Sequence, residues 1–196
     1  MYEHPSFQKN ILKYVDLSEN ELAEFSSCYT LEKVEKNKVI LKQGDICEFE
    51  GYVLEGCFKV FYQDENGREH ILYFAIEDWW VVDIDSFVSG KASKLYIQAL
   101  EDSVILTIDR ANKKRMYCDI PKVEKLFRIM NQKALAAAQL RMISLLHENA
   151  DKRYLDFNER YPSLSQRIPQ NQIAAYLGIS HEFLSKVIKK IVLNER

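Results

Sequence analysis

The sequence contains no run of about 18 or more apolar residues, so no segment is suited to cross a membrane as a helix. Residues Met1 to Asn10 carry charges instead of an apolar run behind a basic start, so we expect no secretion signal. With 196 residues, 47% hydrophobic and 29% charged, the chain can build one ordinary domain or two small ones. We therefore expect a globular cytoplasmic protein that does not associate with membranes.

Cysteine and histidine are few and scattered. The four cysteines, Cys28, Cys47, Cys57 and Cys118, lie 19, 10 and 61 residues apart, which fits neither a Cys-x-x-Cys zinc pair nor a compact disulfide framework. No His-x-His or His-Glu-x-x-His motif is present. The sequence therefore predicts free thiols, no locally built metal site and no cofactor. A site assembled from distant ligands stays open at this point.

The net charge of −2 hides an uneven distribution. Residues 1 to 110 hold 11 Lys and Arg against 21 Asp and Glu (−10), residues 111 to 150 hold 8 against 3 (+5), and residues 151 to 196 hold 8 against 5 (+3). An acidic body with a basic rear half is typical of a nucleic-acid-binding module joined to another domain. A basic segment can equally be a solvated face, so charge alone does not assign a function.

The pattern of apolar residues changes twice along the chain. The first thirty residues have helical spacing, and Ser18 with Glu21 forms a capping box, so we expect two short helices. Short alternating runs separated by tight turns then predict an antiparallel sandwich or barrel between Leu31 and Asp109. The clearest runs are Val39–Leu41, Tyr52–Leu54, Phe58–Tyr62, Ile71–Phe74 and Val104–Leu106.

The strongest hairpin signal in this region is Asn66-Gly67. Both residue types tolerate positive φ, which a type I′ turn requires at its two central positions. We therefore expect a type I′ hairpin here.

A long helix is predicted from Pro121 to about Asn149, because this segment has no internal proline or glycine. At 1.5 Å per residue it would be about 40 Å long. Apolar or small residues recur at steps of three and four, and the alanines at 134 to 138 would let another helix approach closely. The stripe either packs on the chain's own β-domain or forms a dimer seam. We favour the seam, with Val123, Phe127, Met130, Ala134, Ala137 and Ile143 at the interface.

After this helix we expect a polar connector, residues 150 to 167, broken by Pro162, and then a helix-turn-helix. Ala174 is small where two helices would cross, Gly178 suits the backbone of the turn, and Ser180 is placed to cap the second helix. The remaining apolar positions would close the core between the helices: Ile173, Leu177, Ile179, Leu184 and Val187. The alternative is a plain helical hairpin.

The second helix of this pair would present groups suited to DNA. Residues near its start would contact base edges, and lysines a turn further on would reach phosphates. The predicted DNA-contacting residues are Gln170, Ser180, His181, Glu182, Ser185, Lys186, Lys189 and Lys190.

The order of these parts resembles the Crp/Fnr superfamily of bacterial transcription regulators. The resemblance rests on the Leu41-Lys42-Gln43-Gly44-Asp45 turn and the Val53-Leu54-Glu55-Gly56 strand end, followed by a long helix and a helix-turn-helix. It implies an α+β fold: an antiparallel β-roll similar to cyclic-nucleotide-binding domains (residues 1–118), a dimerisation helix (119–149) and a DNA-binding domain (150–196). It also implies a homodimer on double-stranded DNA, with RNA polymerase as a further partner.

The chain departs from the family at the effector site. Family members that bind cyclic AMP carry a Gly-Glu pair that holds the ribose and an Arg-Ser pair that grips the phosphate. Here the corresponding stretches read Glu77-Asp78-Trp79-Trp80-Val81-Val82-Asp83 and Ala92-Ser93-Lys94-Leu95. Without the arginine, and near several carboxylates, a phosphate would lose its bidentate partner, so we expect no ordinary cyclic AMP binding.

The residues of a sensor pocket, if one exists, would be Trp79, Trp80, Asp83, Ser93 and Lys94. The two tryptophans either line the pocket or fill the core. Iron–sulfur sensing of the Fnr type does not transfer, because its cysteines cluster near the N-terminus and these do not. The effector is therefore not identified by the sequence.

Two other functions have to be compared with a ligand-sensing regulator. A cupin-like metalloenzyme would need several histidines in the barrel, where only His70 is found, so we expect no catalytic residues. A helix-turn-helix regulator whose sensor domain binds no small molecule, and serves for dimerisation or protein contact, stays as the alternative.

Overall fold

The computed structural model describes residues 4–194, and within that range the chain forms nine helices and eight strands. The predicted domain limits at residues 1 and 196 lie outside the described residues. The strands are β1 (Thr30–Val34), β2 (Val39–Leu41), β3 (Phe49–Glu55), β4 (Phe58–Gln63), β5 (Glu69–Ala75), β6 (Trp80–Val81), β7 (Tyr96–Ala99) and β8 (Ser103–Asp109). The helices are α1 (Pro5–Leu12), α2 (Glu19–Ser27), α3 (Ile84–Ser89), α4 (Arg110–Asp119), α5 (Lys122–His147), α6 (Ala150–Arg160), α7 (Leu164–Arg167), α8 (Gln170–Leu177) and α9 (His181–Asn194).

The two predicted N-terminal helices are present as α1 and α2. The capping box at the start of α2 is confirmed: the Ser18 hydroxyl accepts from the Glu21 backbone N–H, and the Glu21 carboxylate accepts from the Ser18 backbone N–H at 2.8 Å. The Lys122 ammonium lies 2.9 Å from the same carboxylate. These contacts lower the pKa of Glu21 to about 2.

The strands form two four-stranded sheets, in the orders β1-β8-β3-β6 and β2-β7-β4-β5. The pairing is antiparallel, as predicted; for example, Tyr52 of β3 lies opposite Leu106 of β8. The inward-facing residues of the two sheets form a common core, which includes Val53 and Ile105 from the first sheet and Phe58 and Ile97 from the second. The β-roll predicted from the short alternating runs is therefore the observed architecture.

A second core covers the outer face of the first sheet. Tyr52, Leu106 and Ile108 project from β3 and β8 on that side and pack with apolar residues of α1, α2, α4 and the beginning of α5. Phe7 of α1 is part of this second core, and the centre of its ring lies 4.6 Å from the centre of the Tyr52 ring. Alternation along the strands thus serves two cores, one on each face of the same sheet.

The β4–β5 hairpin is present, but its predicted turn type is wrong. Among the described residues other than glycine, positive φ occurs at Asn37 and Asp78 and not at Asn66, whereas Gly67 has φ +78°. The Asp64 carboxylate instead accepts from the backbone N–H groups of Asn66 and Arg68. Side-chain bonding by Asp64 therefore selects a longer loop in which only the glycine takes the left-handed conformation.

The chain divides into two compact units. The first comprises Met1–Tyr62 with Tyr73–Lys133, and the second comprises Gln63–Leu72 with Ala134–Arg196. The tip of the β4–β5 hairpin is thus counted with the C-terminal helices, and α5 contributes to both units. This division does not follow the predicted limits at residues 118 and 149, which stay a prediction.

The segment expected to be a polar connector is mostly helical, which corrects that prediction. The Asn149 side chain accepts from the Lys152 backbone N–H and so caps α6. Phe157 and Tyr161, four residues apart, both turn into the core of the second unit, where their rings contact that of Tyr176. Over residues 4–194, no helix has the length and apolar character needed to span a bilayer.

Candidate nucleic-acid interface and ligand pocket

The predicted helix-turn-helix is formed by α8 and α9. Gly178 ends α8 in the left-handed conformation, φ +68°, which a side chain would strain. Ala174 is buried, so the backbones can approach at that point. The other predicted core positions, Ile173, Leu177, Leu184 and Val187, are buried, and Ile179 is half-buried.

The first turn of α9 is fixed by two polar side chains. The Ser180 hydroxyl accepts from the Phe183 backbone N–H at 3.2 Å, which is the predicted N-cap. The Glu182 carboxylate accepts from its own backbone N–H and from the Ser180 hydroxyl, and these contacts lower the pKa of Glu182. Glu182 is therefore ionised and held at the start of the helix, where a carboxylate also suits the helix dipole.

The predicted DNA-contacting residues lie on α9, apart from Gln170 at the start of α8 and Ser180 just before α9. Glu182, Lys186 and Lys189 follow one another at steps of three and four on the side of α9 opposite the buried Leu184 and Val187. The Ser185 hydroxyl is half-buried and donates to the His181 carbonyl at 3.2 Å. The remaining predicted residues, Gln170, Ser180, His181 and Lys190, are exposed.

Lys190 has a partner that the sequence did not indicate. Its ammonium forms an ion pair with the carboxylate of Asp151, in the first turn of α6. Lys190 is 39 positions further along the chain, so only the packing of α6 against α9 brings the two together. A phosphate at this position would compete with Asp151 for the ammonium.

Phe183 is a second feature of α9 that the sequence analysis missed. Its side chain is 48% exposed, whereas that of the next residue, Leu184, is fully buried. Helical spacing did not single it out, because Phe183 lies four positions and Leu184 three positions before Val187, so either residue fits the core pattern.

The predicted dimer stripe on α5 is divided by the structure. Val123 and Phe127 are 0% and 3% exposed and belong to the core around α1 and α2. Met130 also packs against that core. Val123 and Phe127 are covered by their own chain, so the prediction that they form a seam with a second chain is corrected, whereas Met130 is half-buried and its place in the seam stays a prediction. Ala134 and Ile143 are exposed and Ala137 is half-buried.

An apolar surface does exist on the second half of α5, but it is rotated from the predicted stripe. Leu140, Ile143 and Leu146 are 67%, 58% and 82% exposed. Together with Leu135 and Met142, they form what we call the exposed apolar face. Ala136 and Gln139 lie between these residues and line a shallow depression with Leu140, Met142 and Ile143.

The two tryptophans of the predicted pocket do not share a site. Trp80 packs in the aromatic cluster on the outer face of the first sheet. The centre of its ring lies 5.2 Å from the centre of the Tyr52 ring and 5.4 Å from that of the Phe127 ring. Trp79 packs against the core between the sheets. Neighbouring residues of an extended chain point to opposite sides, so the two rings cannot line one pocket. The core-filling interpretation fits this arrangement.

Asp83 and Ser93 are brought together, and both are buried. The Ser93 hydroxyl donates to one oxygen of the Asp83 carboxylate at 2.6 Å. The other oxygen accepts from the Ser86 backbone N–H at 3.3 Å, which caps α3. Lys94, the remaining predicted pocket residue, is exposed.

A cationic contact in the second unit joins three of its segments. The Arg141 guanidinium of α5 donates to the Ile71 carbonyl at 2.9 Å and to the Tyr176 carbonyl at 2.6 Å. It also lies 3.6 Å from the centre of the Tyr176 ring. Arg141 therefore ties the tip of the β4–β5 hairpin to the last turn of α8.

One known protein family matches the first part of the chain. Residues 31–117 match the family model of the cyclic nucleotide-binding domain. The matched segment begins in β1 and ends in α4, so it contains both sheets and α3. No curated protein sequence matches the chain significantly.

Solved structures share the fold of nearly the whole chain at low sequence identity. FixK2 from Bradyrhizobium japonicum has a TM-score of 0.74 and 19% identity, covering 85% of this chain and 86% of that one. The c-di-GMP-responsive global regulator CLP from Xanthomonas campestris has a TM-score of 0.72 and 14% identity, covering 91% and 93%. A protein from Eubacterium rectale, assigned to the transcriptional regulators of the crp/fnr family, has a TM-score of 0.71 and 17% identity, covering 91% and 85%. The proteins from Xanthomonas campestris and Eubacterium rectale are regulators.

Proposed function

Since residues 31–117 match the family model of the cyclic nucleotide-binding domain and the chain shares the fold of Crp/Fnr regulators, we propose that it is a homodimeric transcription regulator that binds specific sequences in double-stranded DNA. Such a regulator works in the cytoplasm, where bacterial DNA lies, and RNA polymerase is its natural further partner.

The observation that carries this proposal is the surface of α9. The back of the helix is fixed by buried Leu184 and Val187, and its front presents Glu182, Lys186 and Lys189 to solvent. A carboxylate can accept from the cytosine amino group, and an ammonium can donate to the guanine acceptors in the major groove. The helix is thus anchored by its buried side and presents groups suited to base edges in its first two turns, which supports its proposed role as a recognition helix.

Dimerisation is the part of the proposal supported by α5. The exposed apolar face has at least five large apolar side chains open to solvent along about three turns of helix. A contiguous apolar surface of this kind marks an interaction site. The proposal requires that pairing of two such faces place two copies of α9 in successive turns of the major groove, as a two-fold symmetric DNA site demands.

The sensor domain would not bind cyclic AMP in the usual way. Ser93 stands where family members place the serine of their phosphate-gripping pair, and here its hydroxyl is already bonded to the buried carboxylate of Asp83. A phosphate brought to Ser93 would have to displace Asp83 from the hydroxyl, and the residue before Ser93 is Ala92 instead of the arginine that grips the phosphate in family members. This observation also favours the second candidate, a regulator whose sensor domain binds no small molecule and serves for dimerisation or protein contact.

The test is selection of binding sites from random duplexes, followed by salt titration on the selected site with wild type, Glu182→Ala and Lys189→Ala. We expect Glu182→Ala to weaken binding by about 1 to 3 kcal/mol and to relax the preference at one base pair. Lys189→Ala should weaken binding to all sequences and reduce the salt slope by about one ion. Failure to enrich any sequence would reject the proposed function.

The ligand question is tested separately by adding millimolar cyclic AMP to wild type and to Asp83→Ala. A ligand that binds the folded state raises the melting temperature. We expect cyclic AMP to leave the melting temperature of wild type unchanged. A clear, saturable rise in the melting temperature of wild type would show that the Asp83–Ser93 contact does not keep the nucleotide out. Mass spectrometry of small molecules released from natively purified protein distinguishes a regulator with a different effector from one with none.

A further inference from the structure

Phe183 is an exposed aromatic residue in the first turn of the helix that carries the proposed DNA contacts. The other large apolar residues in the first half of α9, Leu184 and Val187, are buried. Val192 and Leu193, which are also exposed, lie near the end of the helix. Phe183 is therefore the one exposed large apolar side chain among residues 181–187, the described turns nearest the N-terminus of α9.

The position of Phe183 on the helix places it beside the base-reading groups. At 3.6 residues per turn, Lys186 and Lys190 lie three and seven positions further along, on the same side of α9 as Phe183. Glu182 is the preceding residue and lies across the front of the helix. The ring is thus flanked by cationic groups that suit phosphates and by groups that suit base edges.

Charge complementarity identifies the occupant of this surface as DNA rather than another protein. Lys186, Lys189 and Lys190 lie on the exposed side of α9, so the surroundings of the ring are cationic. The major groove offers one apolar group for a side chain, the C5-methyl of thymine. A phenyl ring has no hydrogen-bonding group for a phosphate or a base edge, so the methyl is the chemical group that it can recognise.

We infer that Phe183 is a specificity-determining residue, and that its ring packs against the methyl group of a thymine in each half-site, beside the base contacted by Lys186. This inference rests on the proposed function, which it refines by naming one base of the DNA site. It predicts that the selected half-site contains a thymine whose methyl group is needed for full affinity.

The experiment replaces each thymine of the selected site by uracil, one position at a time, and measures binding of wild type and Phe183→Ala. Uracil differs from thymine at this position only by lacking the methyl group. At one thymine we expect wild type to lose about fourfold in affinity per half-site, the effect of one buried methylene-sized group. Phe183→Ala should bind the thymine and uracil forms of that position equally.

The matched control is Val192→Ala, which removes an exposed apolar side chain of the same helix but further from its N-terminus. This variant should keep the full dependence on the methyl group. Phe183→Leu retains an apolar side chain and should keep part of it, which decides the question should the alanine variant fold poorly. Equal uracil penalties in wild type and Phe183→Ala, or no penalty at any thymine in wild type, would overturn the inference while leaving the proposed function intact. Failure to select any duplex would instead reject the proposed function itself.

Discussion

The two halves of α5 carry similar apolar residues but have different surroundings. In the first half, Val123 and Phe127 are buried against the chain's own β-roll and N-terminal helices. In the second half, Leu140 and Ile143 are also one helical turn apart, but both are exposed. The helix continues without interruption from Lys122 to His147, so the difference lies in what surrounds it and not in the helix itself.

This comparison shows that apolar periodicity identifies a buried face without saying what buries it. The stripe predicted from the sequence runs through both halves as a single surface. In the structure, the face that meets the β-roll and the exposed apolar face lie on different sides of the helix, since Arg141, which is in line with Val123 and Phe127, is half-buried on the side away from Ile143. We therefore assign stability to the first half and the proposed contact between two copies to the second.

The largest expected effect is that of Phe127→Ala in the first half. The ring packs against those of Trp80 and Tyr117, and the Lys113 ammonium lies 3.9 Å from its centre. Removing it should lower the free energy of unfolding by about 3 to 5 kcal/mol, measured by chemical denaturation. Leu135→Ala in the second half is the control and should change the stability of the chain by at most about 0.5 kcal/mol at concentrations where it is monomeric. Equal losses would break the comparison.

Ile143→Glu tests the second half. If the exposed apolar face joins two copies, the new carboxylates would be buried near each other without partners, which should weaken the dimer by about 3 kcal/mol or more. Sedimentation analysis should then find a monomer with an unchanged circular dichroism spectrum. Ile143→Leu keeps the side chain apolar and should leave the dimer intact. A charged variant that still sediments as a dimer would show that this face is not the seam.

Arg141→Met tests the side of α5 that faces its own unit. Loss of two hydrogen bonds from a charged donor should cost about 2 kcal/mol locally. Amide hydrogen exchange should speed up both at the hairpin tip near Ile71 and in the last turn of α8 near Tyr176. The control is Lys133→Met, which removes a cation over the ring of Tyr14 in the other unit. Exchange that rises in α8 but not in the hairpin would argue against a shared contact.

The smallest expected effect concerns the start of α5, where Lys122 pairs with Glu21. The pKa of Glu21 is lowered to about 2 from an ordinary value of 4.5, so its contribution to stability is present above pH 4.5 and is lost as the pH falls towards 2. Glu21→Gln should therefore lower the melting temperature slightly at pH 7, and the difference from wild type should shrink with acidification. Glu19→Gln, in the same turn, is the control. A difference that does not depend on pH would reject this account of the pair.

The sequence predicted the elements whose signals are local. The cap at Ser18, the turn at Gly178 and the alternation of the β-runs each depend on residues a few positions apart. The helical nature of α6 was missed, because a polar composition and Pro162 outweighed the cap at Asn149 and the spacing of Phe157 and Tyr161. The rings of Phe157 and Tyr161 pack with the ring of Tyr176, which lies in α8 and is distant from them in the sequence.

Contacts between distant parts of the chain account for the rest. Nothing near Lys190 in the sequence indicates its pairing with Asp151, and nothing near Trp79 and Trp80 indicates that they enter two different cores. The same holds for Val123 and Phe127, whose partners in α1 and α4 lie outside the pattern of the helix. The exposure of Glu182, Lys186 and Lys189 on α9 was easier to predict, because it follows from the residues that must be buried behind them.

The symmetry of the DNA sequence selected by the wild-type protein tests the central claim most directly. A homodimer with one α9 in each of two successive major grooves should select an inverted repeat whose half-sites are centred about 10 base pairs apart, or a multiple of one helical turn. We predict such a repeat, bound by two chains per duplex. Selection of a single asymmetric site bound by one chain, or of no sequence at all, would contradict the account.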